Sequence, residues 1–125
     1  MLQFEVLPKR FAVCQLDMVK PLPNWVFSSS FYTVSKTADE LAVVCEEDLV
    51  QDEIVKSVGW RLLKINAVLD LSLTGITAQF STALAKAGVN LSVIATYNTD
   101  YILVEEAKLT TAIEALRGAG FEVIE

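Results

Sequence analysis

The stretch Leu91-Ser92-Val93-Ile94-Ala95-Thr96-Tyr97-Asn98-Thr99-Asp100-Tyr101-Ile102-Leu103-Val104 decides how the rest of the chain is read. Leu91, Val93 and Ala95 alternate, which predicts a strand over Leu91–Thr96. Tyr97-Asn98-Thr99-Asp100 carries turn residues. Tyr101–Val104 predicts the returning strand. Upstream, Ile76, Phe80, Leu84 and Ala87 recur at helical spacing, with Ala83 beside them. Gly88 suits the end of that helix. Downstream, Leu109, Ala112, Ile113 and Leu116 mark a second helix, closed by Gly118 and Gly120. Leu62–Leu71 and Phe121–Ile124 read as the outer strands. The order is β-α-β-β-α-β, an α+β, ferredoxin-like arrangement with an antiparallel sheet.

The first half follows the same order with a degraded first helix. Phe11–Leu16 reads as a strand, and Pro21 and Pro23 disfavour a long helix after it. Phe31–Ser35 and Leu41–Cys45 predict a hairpin. Leu49, Ile54, Val55 and Val58 predict a helix over Asp48–Val58, followed by a strand over Trp60–Ile65. An internal repeat accompanies this order. Ser35-Lys36-Thr37-Ala38-Asp39 falls over Thr96-Tyr97-Asn98-Thr99-Asp100, and Gly59-Trp60 over Gly120-Phe121. Two occurrences suggest duplicated modules, 1–61 and 62–125, because a solenoid needs at least three. No Gly/Ser-rich linker separates them, so the modules are expected to share or abut a sheet.

Composition narrows the function. The chain has 125 residues, of which 53% are apolar and 21% charged, which excludes a disordered tail. A formal net charge of −6 argues against nucleic acid as a partner. The sequence holds no His, so imidazole bases, Ser-His or Cys-His pairs and His-based metal sites are absent. Cys14 and Cys45 are too few for a tetrahedral thiolate site or a disulfide framework, and they read as buried reduced thiols. The longest charge-free runs, Pro21–Ser35 and Leu71–Ala85, carry several polar residues, so no transmembrane helix is expected. Glu5 interrupts any basic-then-apolar leader pattern. The expectation is a soluble cytoplasmic protein with neither metal nor cofactor.

Two segments carry candidate binding chemistry. Ser72-Leu73-Thr74-Gly75 precedes a helix N-terminus, where free N–H groups and the helix dipole favour a carboxylate. Ser72 or Thr74 reads equally well as a plain N-cap. Asp100 suits a ligand ammonium or guanidinium, and Thr96, Asn98 and Thr99 offer neutral hydrogen bonds. An ordinary hairpin turn explains the same four residues. Thr37 and Asp39, at the repeat-equivalent place, extend the reading to a second, pseudo-symmetric site. A solvated turn is the plainer account of Asp39-Glu40.

These segments resemble the ACT domain family. Asp70-Leu71-Ser72-Leu73-Thr74-Gly75-Ile76 looks like the family's strand–loop–helix junction. Ala85-Lys86-Ala87-Gly88-Val89-Asn90-Leu91 looks like its helix end and second strand. Ser92–Val104 is similar to the subgroup in aspartate kinases and CASTOR-type arginine sensors. The first half resembles the family more loosely, through Trp25, Thr37–Leu41 and Gly59-Trp60. The resemblance implies two fused ACT-like modules and a non-catalytic, regulatory role. It implies an amino acid or related metabolite held at a module or subunit interface, and a homodimer. It favours Thr74, Gly75 and Ile76 as ligand-binding. The alternative is a structural or interaction module that assembles through sheet edges without a ligand.

Overall fold

The computed structural model describes residues 2–69 and 75–125. Among the described residues seven strands run in chain order, β1 (Gln3–Leu16), β2 (Thr33–Lys36), β3 (Leu41–Glu46), β4 (Val55–Ile65), β5 (Leu91–Ala95), β6 (Asp100–Glu105) and β7 (Glu122–Ile124). Two α-helices accompany them, α1 (Ile76–Lys86) and α2 (Leu109–Gly118). Short 3-10 helices occupy Asn24–Ser28, Glu47–Leu49 and Glu106–Lys108. The chain divides into two compact units, residues 1–8 with 61–125, and residues 9–60. β1 and β4 each contribute residues to both. No helix among the described residues is long and apolar enough to cross a membrane.

The first unit contains β4-α1-β5-β6-α2-β7, the order expected from residues 91–104 outward. Its strands lie in the order β7-β1-β4-β6-β5. β5 and β6 pair antiparallel, from Leu91 opposite Val104 to Ala95 opposite Asp100. The sheet is not wholly antiparallel, however. The start of β1 lies between β4 and β7, and it pairs parallel with β7, Gln3 opposite Glu122 and Glu5 opposite Ile124. A parallel pair needs a long connection, here almost the whole chain. Leu2, Phe4 and Val6 face the core formed by Leu63, Ile65, Phe80, Leu84, Ile102 and Leu116, among others. Phe4 is fully buried and meets Phe80 and Phe121 edge-on, with centroids 5.6 and 5.5 Å apart. Each such contact adds about 0.5–1.5 kcal/mol beyond the area it buries. Asn66 extends the tie, because its N–H donates to the Gln3 carbonyl at 2.9 Å and its side chain donates to Gln3 Oε1 and Glu5 Oε1.

The second unit has strand order β2-β3-β1-β4 and no α-helix among its described residues. The predicted hairpin is present as β2 and β3, Thr33 opposite Val44 and Lys36 opposite Leu41. The helix expected over Asp48–Val58 is replaced by the 3-10 helix Glu47–Leu49 and the start of β4 at Val55. Val50, Ile54, Val55 and Val58 are β-branched and settle better on a pleated strand or turn than on a helix. Lys56 Nζ donates to the Gln51 carbonyl at 2.9 Å and so closes that turn. Gly59, with φ +78°, takes a left-handed conformation inside β4. The small core comprises Ala12, Cys14, Leu16, Val26, Leu41, Val43, Cys45 and Val50.

Glu46 fastens the Ser-rich segment to the end of β3. Ser30 N–H donates to Glu46 Oε2 at 2.5 Å, and Glu46 N–H donates to Ser29 Oγ at 2.9 Å. The Ser30 bonds foremost, then Lys9 and the Ser29 hydroxyl on Oε2, hold the Glu46 carboxyl below its ordinary value against a smaller opposing effect of burial. The depressed carboxyl stabilises the fold above the unfolded pKa, about 4.3, and the contribution vanishes as pH falls through the folded value. Glu46→Gln is expected to lower the urea midpoint at neutral pH, with the gap to wild type closing on acidification. An equal gap from neutral pH to below about pH 4 contradicts this.

Candidate functional site

The described site residues predicted in the second half fall on two features of the first unit. The first is the start of α1. Gly75 is its N-cap, with φ +89° and ψ −15°, and it offers no side-chain cap. A β-carbon there would meet nothing within 4 Å, so the left-handed backbone rather than crowding selects glycine. The first turn holds no acidic side chain. The Gly75 carbonyl accepts the Gln79 N–H at 3.0 Å. The N–H groups of Ile76, Thr77 and Ala78 precede the first intrahelical bond and lack a carbonyl within the helix. The Ile76 side chain packs against the core, so its amide is what it brings to a ligand. Ser72 and Thr74 lie outside the described residues.

The second feature is the β5–β6 turn. Thr96 N–H donates to the Thr99 carbonyl at 2.9 Å, and the Thr96 hydroxyl donates to the same oxygen at 3.0 Å. Thr99 is buried, and its hydroxyl donates to the Ile65 carbonyl at 2.9 Å. Leu69 N–H donates to the Asn98 carbonyl at 2.6 Å. The segment leaving β4 is therefore stitched to this turn at Ile65 and Leu69, six residues before α1 begins to cap at Gly75. Asp100 is half-buried at the first position of β6, opposite Ala95. Thr96 spends its hydroxyl on the turn itself and Thr99 on the end of β4, which leaves Asp100 and Asn98 as the side chains of the set without such a structural task in these bonds.

Thr37 and Asp39 lie in the second unit. Thr37 N–H donates to the Glu40 carbonyl at 2.9 Å, and Thr37 Oγ1 accepts the N–H groups of Asp39 and Glu40, both at 3.1 Å. Like the turn at Thr96–Thr99, this one is closed by the threonine N–H on the carbonyl three residues on and by that residue's N–H on the threonine Oγ1, at 3.1 Å for Glu40 and 3.4 Å for Thr99. The register that superposes them differs from the one read in the sequence. Lys36–Leu41 closes the first hairpin as Ala95–Asp100 closes the second. The 3-10 helices Glu47–Leu49 and Glu106–Lys108 keep the same spacing. Thr37 thus corresponds to Thr96, and Leu41 rather than Asp39 corresponds to Asp100. The Gly59-Trp60 and Gly120-Phe121 alignment keeps its original register, and both glycines have positive φ. The paired Glu46-Glu47 and Glu105-Glu106, which follow the two hairpins, are the signal that would have corrected the register.

A family model described as the ACT domain matches residues 56–118, just over half of the chain. The chain belongs to the ACT domain family. A second family model, described as an N-terminal domain, matches residues 9–53. A search among curated proteins gives no match. A crystal structure from Agrobacterium tumefaciens is similar with a TM-score of 0.91 at 24% identity, covering 98% of this chain and 92% of that one. A Vibrio cholerae protein of unknown function, described as a possible transport protein, gives 0.77 at 24% identity over 94% and 89%. The ligand-free regulatory subunit of aspartate kinase from Thermus thermophilus gives 0.63 at 12% identity over 94% and 96%. At these identities the likeness is one of fold.

The Thr99 hydroxyl tests how the site is held. Thr99→Val keeps shape but leaves the Ile65 carbonyl without this donor. It is expected to cost about 1–3 kcal/mol in chemical denaturation. A change within a few tenths of wild type contradicts the role assigned to this bond.

Proposed function

We propose that this chain is a non-catalytic regulatory protein that binds one small amino-acid-like ligand in its first unit. The observation that carries the reading is the N-terminus of α1, where a left-handed glycine is the N-cap, brings no capping side chain of its own, and no acid stands in the first turn. Backbone N–H groups there suit a carboxylate. Asp100 and the Asn98 side chain, on the turn stitched to the β4 exit, supply the partner for an ammonium or a longer cationic side chain. Membership of the ACT family and the aspartate kinase regulatory subunits among similar structures support a regulatory role.

The repeated hairpin, turn and 3-10 helix support an origin by duplication of two ACT-like modules, 1–61 and 62–125. The second unit carries no counterpart of α1, and Leu41 stands where Asp100 stands in the first. Thr37 and Asp39 are therefore assigned to a structural turn, and one ligand is assigned to each chain. Ligand binding acts on assembly or on a partner through unequal affinity for two states. A second reading, assembly through sheet edges without a ligand, draws on Val34 of β2 and Val93 of β5, which are 43% and 40% exposed on the terminal strands of the sheet order.

A thermal-shift panel of the twenty amino acids at millimolar concentration tests the proposal. A binder present at 100 times its Kd adds about 2.7 kcal/mol of stability. Calorimetry is expected to give one site per chain, and Asp100→Asn to remove most of the shift. No response to any amino acid, with a concentration-dependent dimer in light scattering, favours the second reading.

A further inference from the structure

The second unit carries an apolar patch that its own small core leaves open. Phe27 and Tyr32 meet edge-on with ring centroids 5.7 Å apart, yet they are 56% and 40% exposed. Val34, two residues beyond Tyr32 on β2, is exposed as well. It stands opposite Val43, so it lies on the sheet face that carries the core of Val26, Val43 and Cys45. Phe27 directly follows the buried Val26. The three side chains thus continue that core out to the edge of the sheet, where covering them removes apolar surface from water.

β2 is also an open edge. Among the described residues it ends the sheet order, beyond β3. The Thr37 N–H bonded to the Glu40 carbonyl closes the hairpin as a bonded pair. Bonded and non-bonded pairs alternate along antiparallel strands. Ser35 and Thr33 therefore bond to β3, while the N–H and C=O groups of Val34 and Lys36 turn away from it. Bulges, prolines and several charges are what normally keep an edge strand from pairing. Here the register runs one residue to one over Thr33–Lys36, so no bulge bends the edge aside. No proline lies in the strand, and its one charge is Lys36 at the end.

The edge is complementary to itself. Two copies paired antiparallel about a twofold axis through Val34 set Val34 opposite Val34, with each N–H donating to the carbonyl across the axis. Thr33 then stands opposite Ser35 of the second copy, and Tyr32 opposite its Lys36. The lysine stem covers the tyrosine ring and the ammonium meets the ring face. Moving the axis to Lys36 would oppose lysine to lysine, which is unfavourable. Moving it to Tyr32 would set Val34 against Ser30 and leave the valines unpaired.

We propose that β2 and the Phe27–Tyr32 pair form a homodimer interface, in which the β2 edges of two copies pair antiparallel about Val34. The occupant is a second copy of this chain, because the run Tyr32–Lys36 supplies both sides of every pair and brings no like charges together. The interface lies in the second unit, and the pairing needs no ligand in the first.

Light scattering and sedimentation of the full chain across micromolar concentrations, in buffer without amino acids, test the interface. A reversible dimer is expected. Val34→Pro removes an N–H that faces away from β3, so the hairpin keeps its ladder. It is expected to raise the dimer Kd at least about 10-fold. Val34→Lys and Val34→Glu are each expected to be monomeric alone and to form a mixed dimer when combined, because the axis sets position 34 against itself. Circular dichroism of all three is expected to match wild type. A monomeric wild type overturns the proposal and leaves the edge to a strand of another protein or to solvent. So does a dimer that keeps its strength in all three variants, or one that Val93→Lys on β5 dissolves instead. The amino-acid thermal-shift panel reports on the first unit separately, so either proposal can fail alone.

Discussion

The packing of Phe4 between Phe80 and Phe121 is the contact on which the first unit depends. It sets the start of β1 between β4 and β7, where a ferredoxin-like order alone would leave those strands as neighbours. β7 pairs with β1 over only three positions, so the C-terminal strand is held by the N-terminal one. Removing residues 2–8 would strip the core of Leu2, Phe4 and Val6 together and leave β7 without this partner. The segment that ends β4 also bonds to Gln3, and it leads into the candidate site. The β4 exit is thus tied to the N-terminal strand through Asn66 and to the β5–β6 turn through Leu69.

The second unit solves the same problem with less. It keeps the hairpin and the 3-10 helix but replaces both α-helices with short turns. The Ser30 N–H donated to Glu46 Oε2, the Glu46 N–H donated to Ser29 Oγ, and the Gly59 N–H donated to Glu47 Oε1 at 2.7 Å do some of the fastening. Its core is small, with cysteine serving as a compact apolar filler at two of its positions.

Much of the fold was legible from local pattern. Ile76, Phe80 and Leu84 mark α1, and Ala112, Ile113 and Leu116 mark α2, because one buried helical face repeats every three or four residues. The alternation of Leu91, Val93 and Ala95 and the turn residues after it mark the β5–β6 hairpin for the same kind of reason. Two features escaped. The parallel pairing of Gln3–Glu5 with Glu122–Ile124 joins opposite ends of the chain, and no local period encodes it. The helix expected over Asp48–Val58 rested on apolar spacing alone, and β-branching at Val50, Ile54, Val55 and Val58 outweighed that spacing. In the candidate site, Gly75 and the Thr96–Asp100 turn were legible as residue types. The tasks of Thr96 and Thr99 were not, because their partners, such as the Ile65 carbonyl, are set by the tertiary fold.

In the proposed site, backbone amides at the start of α1 and the Thr96–Asp100 turn hold one ligand together. Amide chemical shifts of the labelled chain, followed while a binding amino acid is titrated in, test it most directly. Saturable shifts at residues 75–78 and 96–100, with residues 37–40 unmoved, are the predicted result. Shifts confined to the second unit, or matched shifts at both hairpins, would contradict it.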